Sequence, residues 1–125
     1  MRPLLATAAP TALWTAAAAL TMALLTSAVA HHGWGSYDAA HPITVAGPIQ
    51  SLKYENPHAE ITVKGADKVW TVTLAPTFRM STRGATAEVV AVGKTVSAYG
   101  YPSTVTHDEM RAERITVDSK TYELR

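Results

Sequence analysis

The chain has 125 residues, with 11 Lys or Arg, 10 Asp or Glu, five His and no Cys. A formal charge of +1 leaves no basic surplus for nucleic acid and no cationic run for a membrane surface. The missing cysteine excludes disulfides, thiolate zinc sites, thiol catalysis and lipoprotein attachment.

Residues 1–30 read as a cleaved secretory signal peptide. Arg2 is the short positive start, residues 13–25 are an uncharged Ala- and Leu-rich run, and Ala28 and Ala30 form the A-x-A pattern read by signal peptidase. The rival reading is an uncleaved anchor, because residues 4–30 carry no charge. Pro10, the richness in Ala and Thr and the cleavage pattern favour cutting after Ala30. That cut leaves 95 residues (125 less 30), one domain with a single core, in the periplasm or the medium with no membrane span. It also makes His31 and His32 the first residues of the mature chain, beside a free α-amine.

Residues 31–42 read as an irregular arm, with Gly33, Gly35, Ser36 and Asp38 around Trp34 and Tyr37. From Ile43 the chain alternates like a strand through Val45, Ile49 and Leu52, and Gly47 marks a bulge or bend. Tyr54, Glu55, Asn56, Pro57 and His58 form a turn. Residues 60–64 and 69–74 read as a hairpin about the turn at 65–68. Residues 77–92 are the helical stretch, capped by Thr77 or Ser81, weakened at Gly84, where it can split into two short pieces, and stopped at Gly93. Strands follow at 94–101 and 111–117 around a polar loop at 102–109, with a short tail strand at 121–124.

Three strands, a helix and two strands predict a mainly β fold over residues 43–125: a small OB-like five-stranded barrel with one helix between strands three and four. Closure removes most exposed edge. An open β-sandwich is the runner-up. Ile49, Ile61, Val63, Val72, Leu74, Val89, Val96 and Ile115 supply most of the expected core.

The mature sequence resembles a family of small exported bacterial proteins, the domain-of-unknown-function family numbered 6152. The resemblance rests on His31-His32-Gly33, Tyr37-Asp38, Val45-Ala46-Gly47, Asn56-Pro57-His58-Ala59 and Arg83-Gly84. Gly93-Lys94-Thr95-Val96, Gly100-Tyr101-Pro102 and the run from Arg111 to Thr116 complete it. Gly33, Ala85 and Tyr54 depart from the family's usual Ser, Trp and Trp. The resemblance implies an exported domain without an assigned activity, and no catalytic residue.

All five histidines fall in loops or the arm. Strand-four and strand-one loops flank the binding face of an OB barrel, which predicts that His58 and His107 approach each other, with Asp108 to orient or ligate. The expected metal set is His31, His32, His58 and His107. Nitrogen donors in a tetragonal arrangement favour Cu(II). There is no phosphate loop, nucleophile elbow or zinc-protease motif, so the expectation is a binding protein and not an enzyme. The alternative is a non-metal OB-type module that holds a small molecule, glycan or periplasmic protein partner on its barrel face. Its candidate ligand residues are Trp34, Tyr54, Asn56, Tyr99, Tyr101 and Asp108. Neither reading involves nucleic acid.

Overall fold

The computed structural model describes residues 3–4 and 33–125. Apart from residues 3–4, the expected signal peptide at 1–30 with its Ala28 and Ala30 cleavage pattern lies outside the described residues, as do His31 and His32. The chain divides into two units, Met1–Gly35 and Ser36–Arg125. A 3-10 helical turn at Trp34–Ser36 spans that boundary.

Six strands, β1 (Ile43–Lys53), β2 (Glu60–Lys64), β3 (Val69–Thr73), β4 (Thr95–Pro102), β5 (Glu109–Val117) and β6 (Lys120–Glu123), and one helix, α1 (Thr77–Thr82), make up the second unit. The sheet order is β3-β2-β1-β4-β5-β6. A parallel β3–β5 pairing, Val72 opposite Met110 and Thr73 opposite Arg111, closes the first five strands into a barrel. β6 pairs with β5 outside that closure. This is the expected five-stranded barrel with its helix between the third and fourth strands.

Alternation decides the interior, because successive side chains of a strand point to opposite faces. Ile61, Val63, Val72, Val96, Ala98, Met110, Ala112 and Ile115 all point inward and are buried. Met80 of α1, with Leu74, Ala85 and Val90, closes one end of the barrel.

Two local expectations are corrected. The helix ends at Thr82 instead of running to Val92: Arg83 caps it and Gly84 takes a positive φ of 83°, which favours glycine. The 3.6-residue phase is lost at that point, so Val90 and not Val89 becomes the fully buried residue. The β1–β2 register shift lies between Ile49 and Ser51, past Gly47. The bulge is thus not at Gly47, where the strands cross closely: a Cβ there would collide with the Lys64 carbonyl oxygen.

Candidate functional site

The two ends of the β3–β5 seam are chemically different. At the helix end, the β1–β2 loop is tied to the start of α1. Ala59 N–H donates to the Ala75 carbonyl at 2.8 Å. Pro76 precedes the helix without a side-chain cap. Asn56 supplies one from across the loop: its Oδ1 accepts the Thr77 N–H at 3.2 Å and the Thr77 hydroxyl at 3.1 Å. Tyr54 donates its hydroxyl to the Ala85 carbonyl at 3.1 Å. Asn56, through its Oδ1, and Tyr54, through its hydroxyl, thus hold the helix end together.

His58 is at this end too. Arg111 Nη2 lies 3.3 Å from His58 Nε2. A guanidinium can only donate, so Nε2 accepts and the ring's proton sits on Nδ1. Arg111 is only 6% exposed. Burial pushes its guanidinium below the ordinary value, and the charges of Arg79 and Arg125 add to this while Tyr37 opposes it. Nε2 of His58 would have to give up the Arg111 contact before it could ligate a metal ion.

Just along the seam, Glu109 Oε1 accepts two hydroxyls, Tyr37 and Thr73, each at 2.8 Å. Burial, then the hydrogen bond to Glu109 and its charge, pushes the Tyr37 phenol up to about 12. Backbone bonds from Asp38 to Pro102 and from Thr104 to Ser36 complete the anchoring of the arm from residue 36 onward.

The opposite end carries no helix. The β4–β5 loop meets the β2–β3 turn there: Thr71 N–H donates to the Asp108 carbonyl at 2.9 Å, and Lys68 Nζ lies 2.8 Å from Asp108 Oδ1. That contact holds the Asp108 carboxyl below, and the Lys68 amine above, their ordinary values. His107 is fully exposed, with Nδ1 3.6 Å from Asp108 Oδ1. The expected approach of His58 and His107 is therefore corrected: they stand at opposite ends of the seam. The cause is topological. β3 runs parallel to β5, so the loop entering β5 lies beside the start of β3, while the β1–β2 loop lies beside its end. Among the described residues no three histidine or carboxylate side chains converge to hold a metal ion.

Trp70 dominates this open end. It shares the inward parity of Val72, sits opposite Val63, and is half-buried against the core. Lys68 Nζ stands 4.3 Å from its ring centroid. A cleft of about 250 Å³ between Trp70 and the β4–β5 loop runs past Pro102, Val105, His107 and Asp108. A second, of about 400 Å³, separates the start of β1 from the β2–β3 turn and is lined by Ile43, Thr44, Ala46, Gly65, Asp67 and Trp70.

The remaining aromatic candidates lie elsewhere. Tyr99 and Tyr101 stand on the outer face of β4, edge to face with centroids 6.2 Å apart. Arg114 covers Tyr99 at 4.6 Å, and the Tyr101 hydroxyl donates to Glu113 at 3.3 Å. Trp34 is half-buried in the turn at the unit boundary. Of the expected ligand residues only Asp108 lines a cleft at Trp70, and Trp70 itself was not among them. The signal for it was its parity with Val72 at the very start of a strand, which puts an inward ring at the barrel mouth.

Comparison with solved structures finds a similar fold within a larger protein. A crystal structure of the ZRD-deleted mutant of TiaS in complex with agmatine matches at a TM-score of 0.51 and 12% identity, over 70% of this chain and 27% of that one. A crystal structure of TiaS in complex with a tRNA and ATP gives 0.49 and 12%, over 65% and 19%. The chain thus spans about a quarter or less of these proteins, and the likeness concerns fold alone. A comparison with curated proteins finds no match. A family model described as "Family of unknown function (DUF6152)" matches residues 19–110, and on that match the chain belongs to this family.

Proposed function

We propose that this chain is an exported small binding protein that takes its ligand at the helix-free end of the barrel, in the clefts beside Trp70. The carrying observation is the position of Trp70. A half-buried indole between two clefts offers apolar contact, while Lys68, Asp108 and Asp67 offer charge around it. Ligand sites combine these features: an apolar wall with a few fixed polar groups. The ligand class is a small molecule, a glycan or a protein partner. Export to the periplasm is supported by the sequence of residues 1–30, and the absence of any cysteine suits any redox compartment. The test is an NMR screen of a small-molecule fragment library against the exported protein. Binders should move the Trp70 indole signal, and Trp70→Leu should abolish their binding. Binders that leave that signal still would refute the reading.

A second reading is favoured by one observation in the sequence, the placing of His31 and His32 directly after Ala30. In this reading the mature α-amine, the His31 imidazole and a nitrogen of His32 chelate Cu(II). Cleavage two residues earlier would instead create Val-Ala-His, which also chelates copper. Binding should weaken as the amine and imidazoles protonate. One extra residue before His31 should weaken or reorganise the site, and an unchanged affinity and spin-resonance spectrum would exclude it.

A further inference from the structure

The larger cleft has a wall that is a strand edge. β1 pairs with β4 along its first half, from Ile43 opposite Gly100 to Pro48 opposite Thr95. Its pairing with β2 begins only at Ile49, opposite Val63. Hydrogen-bonding direction alternates along a strand. Ile49 N–H donates to the Lys94 carbonyl at 2.8 Å, and the Ile49 carbonyl accepts from Gly93 at 2.9 Å, both on the β4 side. Gly47, Val45 and Ile43 share that direction. The N–H and C=O of Thr44 and Ala46 therefore point the other way, into the cleft. Pro48 has the same parity, where its missing N–H costs no ladder bond.

Beyond the crossing of Gly47 and Lys64 the β2–β3 turn diverges, and Gly65, Ala66 and Asp67 form the far wall. Thr44 and Ala46 are exposed, and among the described residues no strand pairs with them on this side. The main-chain groups of Thr44 and Ala46 repeat at about 6.8 Å, twice the rise of an antiparallel strand. That repeat matches the main chain of an extended peptide. Ile43 and Trp70 offer an apolar contact at one end. Asp67 is exposed, and the nearby Lys68 amine is held by Asp108 at 2.8 Å, so the far wall offers a negative charge to a basic side chain.

We propose that the first half of β1 is a strand-accepting edge, which binds a short extended peptide bearing a Lys or Arg for Asp67 and an apolar residue for Trp70. The proposal rests on the barrel-end reading above and names the partner class of that site. Such main-chain pairing supplies affinity, and the flanking pockets supply specificity.

The test is selection of a displayed random decapeptide library on the exported protein. Enriched sequences should be extended, carry a basic residue, and shift the amide signals of Thr44 and Ala46 together with the Trp70 indole. N-methylation of alternate peptide amides should weaken binding at least tenfold. Thr44→Pro should do the same with an unchanged thermal melt, because it removes an N–H that the β4 ladder does not use. Asp67→Lys should turn the preference from basic to acidic peptides. If Thr44→Pro disturbs folding, Ala46→Pro and the N-methylated peptides give the same answer. No enrichment over an unrelated barrel, signals shifted elsewhere, or binding indifferent to N-methylation would overturn the proposal. Fragments that still move the Trp70 indole in that case would leave the broader barrel-end reading standing. Silence in both screens would remove both.

Discussion

Replacing Glu109 by alanine tests how much its carboxylate adds to the backbone anchoring of the arm. Its Oε1 receives the Tyr37 and Thr73 hydroxyls, each at 2.8 Å. Hydrogen bonds to a charged group contribute about 1.5–3 kcal/mol each. Thr73 is 8% exposed, so its hydroxyl loses its acceptor with little access to water. Tyr37 is half-buried and regains water more readily. The sum is roughly 2–4 kcal/mol of destabilisation, a fall in melting temperature of about 8 °C or more for a domain of this size. Tyr37→Phe should lose about 1 kcal/mol, and the double variant should show coupling between the two sites. A pH arm adds an independent readout. The Tyr37 phenol is raised from 10.0 to about 12. Its contribution is therefore complete below pH 10 and is lost as the pH rises through 12. Tyr37→Phe should remove that alkaline loss. Thermal melts of Glu109→Ala within about 0.5 kcal/mol of the parent, a size typical of neutral surface changes, would refute the reasoning.

Two further outcomes follow from the geometry and one from the sequence. Gly100→Ala should prevent or severely weaken folding, since a Cβ there meets the Arg111 carbonyl oxygen and lies 2.8 Å from the Ala112 Cα where β4 crosses β5; a stable, soluble variant would contradict the β4–β5 register. Asn56→Ala should cost about 1 kcal/mol by uncapping α1 while leaving ligand binding at Trp70 intact, as calorimetry with any fragment binder would show. N-terminal sequencing of the exported protein should begin at His31, and a species retaining Leu20 to Leu25 would establish an anchor instead.

The barrel was legible because its signals are local and repeated. Alternation through Ile61, Val63, Val72 and Ile115 marks inward faces, and the turn at 65–68 fixes the hairpin. The helix was overextended because its apolar spacing continues past Gly84, while the backbone reverses there at a φ of 83°. Chain closure was the harder part. Nothing in the run at 102–111 states that β5 lies parallel to β3, so the ends occupied by His58 and His107 could not be ordered. Arg111 lies in ordinary strand sequence. Its role depends on a contact across 53 positions with His58, which no local pattern encodes. Trp70 was masked by its own strand: its apolar ring fits a core pattern, and only its place at the barrel mouth separates it from Val72.

The most direct test of a ligand site at the helix-free end is the amide and indole NMR map of the exported protein, recorded with fragment binders and again with Cu(II). Perturbations gathered on Trp70, Asp108, Thr44 and Ala46, and lost in Trp70→Leu, are the predicted result. A map in which those residues stay unmoved, while Cu(II) alone broadens the signals nearest the N terminus, would contradict it and favour the copper-binding reading.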